Sequence, residues 1–192
     1  MEKTIVIYTS KYGAAKVYAE AIAKELDCEA KSLKEFKKNE LFRYKTIIYG
    51  GGVHAGGIEG WDDFRKWLKP YLVQNPPEKK VICFAVGINV QNFDARAQLR
   101  DVNFDKSWTR PLTCYYYDGR FDESILSKVD GFIMKMTKNM LRDKGLNMDE
   151  NERQLLDRIE KGCDLINLDE IKPLIASLSE PDQATPDNGS QI

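Results

Sequence analysis

Short, almost wholly apolar runs alternate along the chain with segments whose apolar residues recur every three or four positions. Thr4–Tyr8, Lys45–Tyr49 and Lys80–Val86 are apolar at nearly every residue, the pattern of strands covered on both faces. Glu29–Leu33 is a shorter strand-like run, and the aromatic-rich Leu112–Tyr117 predicts a fifth strand. Ala14–Leu26 and Trp61–Leu72 carry helical periodicity, and Asp94–Asp101 predicts a short helix inside the polar stretch from Asn89 to Arg110. Strands and helices in this alternation predict an α/β domain built on a parallel sheet with helices on both faces.

The last third of the chain reads as helical, with Ile125–Arg142, Asp149–Cys163 and Asp169–Leu178 separated by Gly145-Leu146-Asn147 and Asn167-Leu168. Phe132, Ile133, Met136, Met140 and Leu141 recur at helical spacing. Such a stripe predicts packing against the sheet, in preference to a face for a partner or a membrane. Residues 179–192, rich in Pro, Asp, Ser and Gly, predict a disordered tail after one domain spanning residues 1–178.

Composition narrows the partners. A formal charge of -1 over 192 residues gives no basic footprint, so nucleic acid is excluded as the expected partner. Cys28, Cys83, Cys114 and Cys163 have neither CxxC nor metal-ligand spacing, which implies no metal site and a reducing, cytoplasmic setting. No apolar run approaches the roughly 20 residues that span a bilayer, and no signal-peptide pattern precedes the first strand. Peripheral membrane contact is compatible with this pattern, and oligomeric state is not encoded in it.

Candidate chemistry gathers at strand ends. After the first strand, Thr9-Ser10-Lys11-Tyr12-Gly13-Ala14-Ala15 turns directly into a helix, whose N-terminus offers unpaired N–H groups and a positive dipole end to an anion. The turn has neither the three glycines of a dinucleotide fingerprint nor the Gly-Lys-Ser/Thr of a P-loop. A single phosphate monoester fits it best, and FMN carries one. After the third strand comes Gly50-Gly51-Gly52-Val53-His54-Ala55-Gly56-Gly57, whose glycines allow close approach of backbone to a flat ring. Ligands of open parallel sheets bind beyond such strand ends, and Val86-Gly87-Ile88-Asn89 forms a third one. A receiver domain would need an acidic pair where Thr9 and Ser10 stand.

These three segments resemble those of flavodoxin-like FMN proteins. Trp108-Thr109-Arg110-Pro111, Phe132-Ile133-Met134-Lys135-Met136 and Leu168-Asp169-Glu170-Ile171 resemble, more narrowly, the flavodoxin-fold group that includes menaquinone-dependent protoporphyrinogen dehydrogenase. The resemblance covers about residues 3–178. It implies a doubly wound five-stranded sheet of order 2-1-3-4-5 with extra C-terminal helices, and FMN held without a covalent bond. It assigns the phosphate to Thr9, Ser10, Lys11, Tyr12, Gly13, Ala14 and Ala15. The isoalloxazine would be bordered by Gly51, Gly52, Val53, His54, Ala55, Gly56 and Gly57 on one side and by Val86, Gly87, Ile88 and Asn89 on the other. Gly56 or Gly57 would present its peptide carbonyl to the reduced flavin.

The family usually closes its phosphate loop with threonine, where this chain has Ala15; Ser10, the loop N–H groups and the Lys11 ammonium are the expected compensations. Phe93, Tyr12 and Trp108 are candidates to stack on the flavin, and His54, the only histidine, to hydrogen-bond it. Arg120 could face a substrate carboxylate, although a solvated arginine is the preferred reading. The resemblance thus implies an FMN-dependent oxidoreductase, of protoporphyrinogen dehydrogenase type, acting with a redox partner protein, a quinone or a small organic substrate. An electron-transfer flavodoxin is the alternative, and a binding protein that lost its cofactor a more distant one. No catalytic acid or base is identifiable.

Overall fold

The computed structural model describes residues 3–74, 79–104 and 112–179. Its centre is a sheet of five parallel strands: β1 (Thr4–Thr9), β2 (Glu29–Ser32), β3 (Thr46–His54), β5 (Lys80–Gly87) and β6 (Thr113–Asp118), in the order β2-β1-β3-β5-β6. The extra number belongs to β4 (Gly57–Ile58), a two-residue strand that folds back antiparallel on β3. Without it, the order is the expected one. Ile5, Val6, Ile7, Ile47 and Ile48 are all fully buried, because side chains alternate between two faces that are both covered.

One face packs on α2 (Trp61–Gln74) and α3 (Phe93–Asn103), the other on α1 (Ala14–Glu25) and α6 (Lys172–Ser179). Ile5, Ile7, Tyr49 and Cys83 join Trp61, Phe64 and Leu68 in the first core. Tyr49 stacks on Phe64 at 4.4 Å between ring centroids, a pairing worth about 0.5–1.5 kcal/mol beyond its buried area. Val6, Ile48 and Phe84 meet Ala15, Tyr18, Ala19 and Ile22 in the second. Small residues at 15 and 19 let α1 approach the sheet closely. Cys83 and Cys114 face each other across β5 and β6, and all four cysteines are free thiols.

Residues 120–164 form a separate layer beside the strand ends. β7 (Arg120–Phe121) follows β6 after one glycine and pairs antiparallel with β8 (Cys163–Asp164), strands too short for periodicity to reveal. Between them lie α4 (Lys128–Lys144), capped by the Ser127 side chain, and α5 (Glu150–Lys161), started by an Asp149–Glu152 capping box. Phe121, Leu141 and Ile159 make a small core there.

The α4 stripe departs from expectation: Leu141 is buried, whereas Phe132 is 63% exposed, Met136 59% and Met140 57%. α4 turns its other side to α5, β7 and the strand ends, and among the described residues the stripe at Phe132, Met136 and Met140 stays exposed. Trp108-Thr109-Arg110-Pro111 and residues 180–192 of the expected tail lie outside the described residues, and Ser179 closes α6.

Candidate functional site

At the end of β1 the chain turns through Gly13, in the left-handed region at φ 89°, and enters α1 with no side-chain cap. The first helical bond runs from Val17 N to Gly13 O at 3.1 Å, so the N–H groups of Ala14, Ala15 and Lys16 come before any i−4 carbonyl. Helix ends of this kind attract anions. The guanidinium of Arg120 lies over this turn: a Cβ on Gly13 would sit 2.8 Å from its Nη2. Gly13 therefore meets two demands, a positive φ and the space under that arginine.

The glycine segment, expected to follow the third strand, instead continues β3 as far as His54 and then folds into a hairpin. His54 pairs with Gly57, and between them Ala55 (φ 48°) and Gly56 (φ 81°) make the two left-handed residues of a tight two-residue turn. Buried Asn103 of α3 clasps this hairpin, accepting from Ile58 N at 2.9 Å and donating to Gly56 O at 3.0 Å. The Gly56 carbonyl is thus bonded to Asn103, and neither Gly56 nor Gly57 reaches the groove, which is lined instead by Gly52, Val53, His54 and Ala55. Tyr12 and His54 approach ring to ring at 5.8 Å.

A groove of about 820 Å³, counted to its open mouth, runs from the α1 N-terminus between the hairpin and the ends of β5 and β6. Ser10, Lys11, Tyr12, Ala14 and Ala15 line one end; Val86, Gly87 and Ile88 line the far side. Gly119, Arg120, Phe121 and Leu126 continue that wall, and Asp130, Ile133 and Met134 of α4 complete it. Arg158 of α5 donates to the Ile88 carbonyl and fixes the β5 exit.

Of the expected site residues, six fall outside the groove lining: Thr9, Gly13, Gly51, Gly56, Gly57 and Asn89. Tyr49 donates to the Glu59 carbonyl at 2.7 Å and therefore accepts from the Thr9 hydroxyl at 3.0 Å, on the opposite side of the strand end. Gly51 backs onto residues 58–59, where a Cβ would come 2.7 Å from the Glu59 carbonyl. Asn89 closes a turn by accepting from Asn92 N. Among the stacking candidates Tyr12 lines the groove, Phe93 is 79% exposed at the start of α3, and Trp108 lies outside the described residues. Arg120 was foreseen only as a candidate to face a substrate carboxylate, and Phe121 of β7 with Asp130, Ile133 and Met134 of α4 were not foreseen as lining, because their approach depends on two two-residue strands.

Lys11 is held by α4. Its ammonium lies 2.5 Å from Asp130 Oδ2 and donates to Ser127 Oγ at 3.3 Å, while the Tyr12 hydroxyl donates to the same carboxylate. The Lys11 N–H donates to Glu59 at 3.1 Å. These bonds, the one from Lys11 first, hold the Asp130 carboxyl down at a pKa of about 2, against roughly 3.9 in an unfolded chain. A depressed carboxylate stabilises the fold above its unfolded pKa and ceases to do so as pH falls through the folded one. The first turn of α4 should therefore loosen from the β1 loop between about pH 4 and pH 2. Amide exchange of residues 128–132 should accelerate over that window in the native protein, and Asp130→Asn should show fast exchange at every pH. Equal pH dependence in both proteins would remove Asp130 from this role.

FMN suits these residues on two counts. A hollow that a Cβ would fill joins an uncapped helix start to a guanidinium, and an apolar slot of Val53, Val86, Ile88 and Phe121 opens beside it. No group of His, Cys, Asp or Glu among the described residues could hold a metal ion.

No curated protein matches the chain in sequence. Similar solved structures include a flavodoxin from the domain Archaea, 19% identical, with TM-score 0.40 over 83% of this chain and 97% of that one. A WrbA-like flavodoxin from Agrobacterium tumefaciens is 14% identical, with TM-score 0.45 over 83% of this chain and 95% of that one. Rubredoxin oxygen:oxidoreductase from Desulfovibrio gigas is 14% identical, with TM-score 0.41; the match covers 83% of this chain but only 36% of that longer one. The flavodoxin domain profile matches residues 5–146, a span that holds all five parallel strands, the α1 cradle and the clasped hairpin. Proteins of that family bind flavin, usually FMN, and the chain belongs to the flavodoxin domain family.

Proposed function

We propose that the protein is an FMN-dependent oxidoreductase that takes electrons from an organic substrate, with a protoporphyrinogen-type compound and a quinone acceptor as the preferred pair. The observation that carries this reading is the continuity of an uncapped α1 N-terminus with an apolar slot at the carboxyl ends of β3, β5 and β6. Bound FMN would supply reversible one- and two-electron chemistry. The protein's residues do the rest. Ser10 and the N–H groups of Ala14 and Ala15 would hold the phosphate, while Val53, Val86, Ile88 and Phe121 exclude water from the ring. Tyr12 and His54 form the polar end of the slot.

An enzyme is favoured over a shuttle because α4 walls the outer side of the groove with Ile133 and Met134, which leaves a lined space for a substrate. The stripe of Val129, Phe132, Met136 and Met140, exposed beside Lys128 and Lys135, supports a lipophilic acceptor at a membrane surface. No helix among the described residues is long and apolar enough to cross a membrane, and a cytoplasmic site of action belongs to the same proposal.

Calorimetry with FMN and FAD, followed by a protoporphyrinogen and quinone turnover assay, tests the reading. Preferential FMN binding and turnover are expected. Changing both Phe132 and Met136 to Glu should leave FMN affinity intact and lower turnover with vesicle-borne quinone by at least about tenfold, given the apolar area involved. Comparable FAD binding, or no flavin binding, would sink the assignment; binding without turnover would favour the electron-transfer alternative.

A further inference from the structure

Three cations stand near the first turn of α1, and two of them are engaged. Lys11 is committed to Asp130 and Ser127, and its own N–H to Glu59. Lys16 pairs along the helix with Glu20 at 3.6 Å. Arg120 is different: it is exposed, lines the groove, and has no ion-pair partner among the described residues. Its Nη2 lies against the face of Gly13 that any side chain would occupy. Pairing of Arg120 with Asp164 and of Phe121 with Cys163 fixes the backbone that carries it.

Ala15, where the resemblance implies a hydroxyl, is 1% exposed and packs into the α1 core with Tyr18 and Ala19. The position is given to packing, so a phosphate anchor in place of that hydroxyl has to come from another element. We infer that Arg120 is the phosphate clamp of this site, supplying from β7 the charge and forked hydrogen bonds that the first loop lacks. This rests on the FMN reading above. Guanidinium matches phosphate oxygens two at a time and keeps its charge at every relevant pH. It would make the site selective for the phosphorylated flavin over riboflavin, with a salt-sensitive affinity.

Titration of the purified protein with FMN and, separately, with riboflavin, followed by flavin fluorescence at low and high salt, tests the inference. Arg120→Gln should weaken FMN by roughly 10- to 100-fold, the effect of one charged hydrogen-bonding group, and leave riboflavin unchanged. Arg120→Lys should recover part of the loss, because a point charge remains without the fork. The salt dependence of FMN binding should shrink in Arg120→Gln. Equal losses for both ligands would reveal a merely structural arginine, and undiminished FMN affinity would place the phosphate elsewhere; either overturns the clamp while leaving the flavin assignment standing. Failure of the native protein to bind either ligand would instead bring down the FMN reading, and the clamp with it.

Discussion

Gly50→Val is expected to abolish stable folding. Gly50 stands in the middle of β3 opposite Phe84 of β5, and a Cβ there would lie 1.8 Å from the ring's Cζ. That ring is fully buried and packs at 5.5 Å from Tyr117, so it has nowhere to turn. Overpacking of a core costs about 1–3 kcal/mol when neighbours can yield; here the central strands would have to part, against a total stability of roughly 5–15 kcal/mol. Phe84→Ala alone should cost about 3–5 kcal/mol through the cavity it leaves. Combined, the two changes should cost less than their sum, because the valine would enter space the ring has vacated. Urea denaturation of the single and double variants reads this directly. Simple additivity would mean that the Phe84 ring is not the obstacle.

Asn103→Leu should cost about 2–4 kcal/mol and release the hairpin beside the groove. Asn103 is 5% exposed, and its amide accepts from Ile58 N and donates to the carbonyls of Gly56 (3.0 Å) and Leu99 (2.8 Å). Leucine fills a similar volume but leaves a buried N–H and carbonyl unpaired, which is where the cost arises. Asn103→Asp is the sharper comparison: it keeps the acceptor for Ile58 yet turns a carboxylate oxygen toward two carbonyls, so it should be worse than leucine at neutral pH. Melting temperature and the exchange rate of the Ile58 amide measure the two effects. If aspartate were tolerated better than leucine, the side chain's role would be mere space filling.

Both positions show what the sequence could carry and what it could not. Ile5–Ile7, Ile47–Tyr49 and Cys83–Val86 announce buried parallel strands because each face of a strand is read by alternate residues, a local signal. The cradle at Ser10–Ala15 was legible for the same reason, since a strand, a turn and a helix start are consecutive. The glycine segment was legible in place but not in meaning. Gly50 serves Phe84 and Gly51 serves the chain at Glu59, contacts made 34 and 8 residues away, while Ala55-Gly56 forms the turn. Arg120 and Asp130 enter the groove only through tertiary placement of β7 and α4, so Arg120 was legible only as a candidate for a substrate carboxylate, with a solvated arginine preferred, and nothing in the sequence pointed to Asp130. The α4 stripe misled because periodicity fixes which residues share a face and is silent about what that face meets.

The pairing of β7 with β8 also separates the ancestry of this chain from its mechanics. The family profile ends at residue 146, yet Cys163 and Asp164 hold the strand that bears Arg120, Leu165 N donates to Gly119 O at 3.0 Å, and Glu170 accepts from Asp118 N at 2.9 Å. The span matched by the profile therefore stops about twenty residues before the last of these braces. A truncation drawn at the profile boundary would retain every strand of the sheet and every residue of the lining, but would strip the arginine-bearing strand β7 of its partner β8. The matched span alone would thus show the cradle while missing the residues of this chain that brace the strand bearing Arg120.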